Sequence, residues 1–233
     1  MSSAYKSESL AGSLIDSSSA SAGIPRSAEM MLALASLIVL SPLLTLCGLL
    51  VLLSSAGPVL FRQSRVGRHG KVFTLFKFRT MRVSEEGPLI TAATDNRITP
   101  IGRFLRKWKL DELPELYNVL KGDMSFVGPR PEVPDFVDPS DPLWKVILQI
   151  RPGITDLVTL TLTNEEAVLA EAEDKERYYR EVLQPYKLRG YISYLEVKSM
   201  RSDVKIVLRT IKVMLSSKPE PRMLEVVEPS LLD

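Results

Sequence analysis

The chain has 233 residues, 45% of them hydrophobic, with 30 Lys and Arg against 28 Asp and Glu. A formal net charge of +2 excludes a generically basic nucleic-acid binder, and one histidine excludes a His-based triad or zinc cluster. The single cysteine, Cys47, can close no intrachain disulfide, which fits a reducing compartment.

Residues 1–25 are Ser-rich and weakly patterned, the composition of a disordered leader. Met30 to Leu53 is a run of 24 residues without a charged side chain, long enough at 1.5 Å per residue to cross a hydrocarbon layer roughly 30 Å thick. Ser41-Pro42 lies near its centre, where proline removes a backbone hydrogen bond and clashes with the preceding turn. A bent, re-entrant helix over residues 26–56 and a straight span are both compatible with this pattern. Arg62, Arg65, Arg68 and Lys71 follow the run and Arg26 precedes it, an asymmetry that either arrangement satisfies. Ser54-Ser55-Ala56 resembles a cleavage site, but the long acid-bearing leader and the length of the apolar run argue against a signal peptide.

Residues 57–81 contain two β-prone stretches punctuated by Gly67 and Gly70, which predicts a β-hairpin with His69 in its turn. On its own, the alternation of VFTLFKF turns Lys77 and the following Arg79 towards water. Ile98 to Leu120 has helical periodicity. Ile101, Phe104, Leu105 and Trp108 lie at i, i+3, i+4 and i+7, with Arg103, Arg106 and Lys107 on other faces, so this helix can lie flat on lipid headgroups. The chain then turns at Leu110 and enters a new helix through Asp111, with Pro114 in its first turn. Both Asp111 and Glu112 are thereby expected at a helix N-terminus. Asp111 as a plain N-cap is the simpler reading; two acids set among Arg and Lys also suit a divalent cation and a phosphate.

Residues 121–142 read as loop. Within them, Gly128-Pro129-Arg130-Pro131 makes a stiff turn that presents one guanidinium fork to an anion. An acidic helix is expected from about Asn164 to Leu183, with Glu165, Glu166, Glu171, Glu173, Asp174 and Glu176 as a solvated face rather than a metal site. A later helix opens at Ser202-Asp203, with Val204, Val207, Leu208 and Ile211 on one face and Lys205, Arg209 and Lys212 on another. Residues 216–233, with Pro219, Pro221 and Pro229, read as a loose tail.

Two long blocks carry a resemblance. GPVLFRQSRVGRHGKVFTLFKFRTM (Gly57 to Met81) and TDNRITPIGRFLRKWKLDELPELYNVLKGDMSFVGPRP (Thr94 to Pro131) resemble, in the same order, the bacterial sugar transferases, the monotopic phosphoglycosyl transferases. The similarity covers residues 26–215. It implies an α+β, mostly helical fold: a re-entrant membrane helix at 26–56, then a sugar transferase domain at 57–215 with in-plane amphipathic helices and a small β-hairpin. It also implies transfer of a sugar 1-phosphate from a nucleotide diphosphate sugar, usually a UDP-sugar, to a polyprenol phosphate at the cytoplasmic face of the bacterial inner membrane. Such a reaction starts a membrane glycoconjugate or exopolysaccharide that downstream glycosyltransferases extend.

By the same resemblance Asp111 is the nucleophile, and Glu112 orients a metal or handles a proton. Mg²⁺ is held by Asp111 and Glu112, and Lys77, Arg79, Arg106 and Arg130 meet substrate phosphates. Asp203 matches an acidic position near the family's active site, although a helix cap explains it as well. Two departures stand out. Arg26 and Glu29 lie close to a Lys-Arg-x-x-Asp pattern in which Glu29 replaces the Asp and the Lys is missing, and Arg151-Pro152-Gly153-Ile154-Thr155 continues as Asp156-Leu157-Val158 where many relatives have Gly and a Trp-Ala-Gln stretch. A membrane-anchored, non-catalytic binding protein is the rival from another class, distinguished by indifference to Mg²⁺ and no turnover of nucleotide sugars.

Overall fold

A computed structural model of the protein describes residues 23–82, 95–162 and 165–215. The leader up to residue 22 and the tail from 216 onward lie outside the described residues. The apolar run is two helices, α1 (Arg26–Val39) and α2 (Ser41–Ser54), which meet at 62°. Pro42 sits in the first turn of α2, where its missing N–H leaves no donor unpaired. Ser41 Oγ caps the break by donating to the carbonyl of Ile38 at 2.8 Å. Among the described residues no single helix is long and apolar enough to cross a membrane. Met31, Ile38, Val39, Leu49, Leu52 and Leu53 are exposed on the bent pair, while Glu29, Ala33, Cys47 and Val51 are buried against the rest of the chain. An exposed apolar surface of that extent marks a membrane or protein contact.

The hairpin follows. Strand β1 (Leu60–Val66) pairs antiparallel with β2 (Val72–Phe78), from Leu60 opposite Phe78 to Val66 opposite Val72. His69 adopts φ 57° and Gly70 φ 74° in the turn, the left-handed region that such a tight reversal needs. Helix α3 (Pro100–Lys107) is N-capped by Thr99, whose hydroxyl accepts from Gly102 N at 2.9 Å. Gly102 has to be glycine, because a Cβ there would run into the Thr80 backbone. Leu105 of α3 then joins Cys47, Val51 and Phe78 in one apolar cluster, so α2, the hairpin and α3 share a core.

Helix α4 (Glu115–Lys121) ends at Gly122 in a left-handed C-cap (φ 105°). Strand β3 (Ser125–Val127) pairs in parallel with β4 (Gly153–Thr155). The segment 121–142, expected to be loop throughout, therefore contains a strand, too short at three residues for alternation to reveal. Helices α5 (Pro142–Ile147) and α6 (Leu157–Thr161) are capped by Asp141 and Asp156. The acidic segment, expected as one helix, is α7 (Glu165–Glu171), α8 (Lys175–Tyr178) and a π-turn (Tyr179–Leu183) that runs into α9 (Gln184–Val197). Helix α10 (Met200–Leu215) completes the described chain. Val127, Trp144, Leu157, Leu188, Tyr191, Tyr194 and Ile206 form the largest core, which closes α5, α6, α9 and α10 around the small parallel sheet.

Candidate active site

The dyad owes its position to one backbone irregularity. Lys109 adopts φ 53°, which stops α3 and throws the chain into a 3₁₀ turn over Leu110–Glu112. Leu110 packs onto the cluster of Val51, Phe78 and Leu105, and Asp111 follows it inward to 8% exposure. Helix α4 begins only at Glu115. Asp111 and Glu112 are thus one turn ahead of the helix, not in its first turn as the periodicity predicts, and Glu115 is the first-turn acid.

Strand β2 brings Lys77 to these carboxylates. Its Nζ lies 3.0 Å from Glu112 Oε1 and 3.2 Å from Glu115 Oε1, so the lysine is half-buried and turned to acids instead of pointing freely into water. Arg130 pairs with the same Glu112 Oε1 through Nη2. The Arg130 turn is clamped from two sides: Gly128 N donates to Thr155 O at 3.1 Å, Gly153 N to Pro129 O at 3.0 Å, and Arg65 Nη1 to Pro131 O at 2.9 Å. A Cβ on Gly128 would stand 2.6 Å from Arg151 O, so only glycine lets the two backbones cross.

Electrostatics separates the acids. Burial pushes the Asp111 carboxyl above its ordinary range and neighbouring Glu112 adds to the shift, with Lys77, Lys109 and Arg106 opposing. Burial would raise Glu112 too, but Arg130, Lys77 and Lys109 more than offset it and hold Glu112 well below the carboxylate range. Glu115, 1% exposed, is pushed up to about 7 by burial, against Lys77 and with the charge of Glu112. Glu112 is therefore the fixed anion of the group. Asp111 Oδ1 is buried without any hydrogen-bond partner, a costly condition that an approaching cation or electrophile would relieve.

The other expected residues fall into different surroundings. Arg106 donates from Nε to Thr80 Oγ1 at 2.8 Å and pairs with Glu166 at 3.0 Å. Arg79 is buried, with Nη2 donating to Ser55 O at 2.6 Å at the end of α2. Asp203 accepts from Tyr194 OH at 2.7 Å and from Ile24 N at 3.2 Å and pairs with Lys198 at 3.2 Å, a cluster that shares no partner with the dyad. Two residues of the acidic segment find cations, Glu165 as a half-buried side chain and Glu166 while staying on the solvated face expected of it. Glu166 meets Arg106, and Glu165 pairs with buried Lys187 at 2.7 Å.

Two supports of the site, Glu115 and Asn118, escaped the sequence reading, as did the tertiary partners of Arg26 and Glu29. Glu115 offered no signal beyond its place three residues after Glu112. Asn118 is fully buried: its Oδ1 accepts from Phe76 N at 3.1 Å and its Nδ2 donates to Thr74 O at 2.7 Å. The free edge of β2 is thereby fixed to α4, which sets Lys77 opposite the carboxylates. Arg26 reaches the carbonyls of Val119 and Leu120 at the end of α4, while Glu29 accepts from Phe126 N at 3.2 Å.

Among the described residues no three His, Cys, Asp or Glu side chains converge as a metal cage. Mg²⁺ rarely needs one, since it commonly takes one or two carboxylates together with substrate phosphates. The open, buried Asp111 Oδ1 fits such a hard cation, whereas Glu112 Oε1 is already claimed by Lys77 and Arg130.

A bent apolar helix pair joined to a small α+β body, with Glu112 clamped by basic side chains beside a buried Asp111, defines a class, and comparison with known proteins agrees. The family profile described as bacterial sugar transferase matches residues 20–217, so the chain belongs to that family. It is 39% identical over 182 residues to the UDP-glucose:undecaprenyl-phosphate glucose-1-phosphate transferase of Caulobacter vibrioides, covering 76% of this chain and 64% of that protein. It is 35% identical to the UDP-N-acetylgalactosamine-undecaprenyl-phosphate N-acetylgalactosaminephosphotransferase of Aeromonas hydrophila, over 83% of this chain and 44% of the relative. The UDP-glucose:undecaprenyl-phosphate glucose-1-phosphate transferase of Escherichia coli K12 is 36% identical, over 81% of this chain and 39% of the relative. The chain thus spans 39% to 64% of the length of these three relatives.

Proposed function

We propose that the protein is an enzyme that transfers a sugar 1-phosphate from a UDP-sugar to undecaprenyl phosphate or a similar polyprenol phosphate at a membrane surface. The observation that carries this reading is Asp111 Oδ1, buried and unpartnered, beside Glu112 held between Lys77 and Arg130. An Asp111 oxygen attacks the β-phosphorus of the donor, the bond from that phosphorus to the bridging oxygen breaks, and the electron pair leaves on UMP. The sugar phosphate remains on Asp111 as an acyl phosphate. An oxygen of the lipid phosphate then attacks the same phosphorus, the aspartyl bond breaks, and the carboxylate is restored with a polyprenyl diphosphate sugar as product. Lys77 and Arg130 stabilise the charge that moves onto phosphate oxygens, and their pairing with Glu112 keeps them in place beforehand. Asp111, with Glu112 through the oxygen that Lys77 and Arg130 do not claim, would hold Mg²⁺, which supplies positive charge against the repulsion between carboxylate and pyrophosphate.

The bent pair is read as re-entrant because both of its ends bond to one body. Arg26 at the start of α1 caps α4, and Ser55 just after α2 accepts from Arg79. A straight span would carry these ends to opposite faces. Phe104 of α3 and Val204, Leu208 and Ile211 of α10 expose apolar side chains, which suits helices lying in the headgroup plane. The face is taken to be the cytoplasmic side of the bacterial inner membrane, where nucleotide sugars are found.

Purified protein in detergent, given polyprenyl phosphate, Mg²⁺ and in turn UDP-glucose, UDP-galactose or UDP-N-acetylgalactosamine, should release UMP from at least one donor. Asp111→Asn should release none and form no radiolabelled adduct. Ordinary turnover by that variant would reject the reading.

A further inference from the structure

Arg79 is 5% exposed, yet Nε and Nη1 of its guanidinium have no hydrogen-bond partner. Only Nη2 is engaged, with Ser55 O. A buried cation with two idle donors is costly unless an acceptor arrives to meet them. Ordered water is one such acceptor and an anion is the other.

Position favours the anion. Arg79 N bonds to Val59 O at 2.9 Å, so the extended pairing of the hairpin continues past Phe78 and places Lys77 and Arg79 on one face. Two residues along a strand separate them by about 7 Å. Lys77 turns to Glu112 and Glu115, whereas Arg79 shares no bond with that group and faces the end of α2. Leu46, Leu49, Leu52 and Leu53 of α2 are exposed, a surface suited to a hydrocarbon chain whose polar end stops near Ser55. Ala56, Gly57 and Pro58 beyond it are exposed as well, with Gly57 in the left-handed region at φ 121°.

We infer that Arg79 is the acceptor subsite: Nε and Nη1 receive the phosphate of the lipid-linked acceptor, while Lys77 and Arg130 serve the diphosphate of the nucleotide sugar. The inference rests on the transfer reaction proposed above. It divides the basic residues of one strand face between two anions, the lipid phosphate at Arg79 and the nucleotide-sugar diphosphate at Lys77 and Arg130.

The test compares wild type with Arg79→Gln and Arg79→Lys in detergent. Kinetically, Arg79→Gln should raise KM for polyprenyl phosphate by about tenfold to a hundredfold, the loss expected for charge-assisted hydrogen bonds, with KM for the UDP-sugar shifted far less. Arg79→Lys should fall between, and it carries the test if the glutamine variant does not fold. In a separate binding arm, a short-chain polyprenyl phosphate should raise the melting temperature of wild type but not of Arg79→Gln, and inorganic phosphate at the same concentration should do much less. An unchanged lipid KM in either folded variant, or equal stabilisation of wild type and variant by the lipid, would overturn the assignment and leave Arg79 a water-satisfied structural arginine. Equal stabilisation of wild type by inorganic phosphate would overturn the lipid as its source. If wild type releases no UMP from any donor, the proposed reaction fails, and the binding arm still decides the role of Arg79.

Discussion

Arg26, the first residue of α1, donates to the carbonyl of Val119 near the end of α4, 93 residues further along the chain. The same side chain pairs with Glu29 at 3.3 Å and reaches Met124 O, and Glu29 in turn accepts from the backbone of Phe126. The root of the apolar pair is therefore fastened to the helix that follows the dyad. Arg26→Ala should cost about 2–3 kcal/mol, because it strands carbonyls and leaves Glu29 buried without its cation. Thermal melting of the single variants and of Arg26→Ala with Glu29→Ala should show strong non-additivity; additive losses would mean the two side chains act separately.

Glu115 gives the protein a pH-dependent stability. Its carboxyl, ordinarily 4.5, is pushed up to about 7 by burial, so between those values the folded state holds a proton that the unfolded state has lost. Stability from this group is present below about 4.5 and is lost as pH rises through about 7, a difference on the order of 3 kcal/mol. Glu115→Gln should flatten that part of the profile and raise the melting temperature at pH 8 relative to wild type. An identical pH profile in the variant would place the titration elsewhere.

Asp111→Asn should eliminate turnover and yet not destabilise the fold. Burial raises the Asp111 pKa, so its charged form is a burden on the native state, and an amide removes that charge. Glu112→Gln should behave in the opposite way, losing both activity and stability, since it leaves Lys77 and Arg130 without their shared anion. Denaturation at pH 8 separates the two variants.

Asn118→Ala should lower stability by about 2–4 kcal/mol, because the edge groups Phe76 N and Thr74 O lose their partners inside the protein. The activity that survives should be far below wild type, as Lys77, the next residue along the strand, loses its alignment. Full specific activity in the folded variant would show that Lys77 is held by the acids alone.

Asp203→Asn should affect folding more than chemistry. Its oxygens bind Tyr194, Lys198 and Ile24, a seam between α9, α10 and the residues leading into α1. A melting temperature several degrees lower, with turnover per folded molecule retained, is the expected pattern. The reverse pattern would return Asp203 to the active site.

Much of this arrangement was legible from residue order. Ser41-Pro42 marked the bend, Gly67 and Gly70 marked the hairpin turn, and the acids among basic residues marked the candidate site. What could not be read were features set by tertiary contact. The left-handed Lys109 has no sequence signature, since lysine has no preference for that conformation, and it displaced the start of α4 to Glu115. The outward direction assigned to Lys77 assumed water on that face, where α4 in fact supplies carboxylates. The ion pairs of Glu165 and of solvent-facing Glu166 were hidden because their partners, Lys187 and Arg106, are remote in the chain.

The crossing of Gly128 over Gly153 has a consequence for any attempt to shorten the protein. A fragment ending before Arg151 would still encode both acids and all four proposed phosphate-binding cations, but the ledge on which Arg130 rests would be gone. Restoring catalysis to such a fragment would require the missing half to be added back as a separate chain, so complementation between two inert pieces is the behaviour this junction predicts.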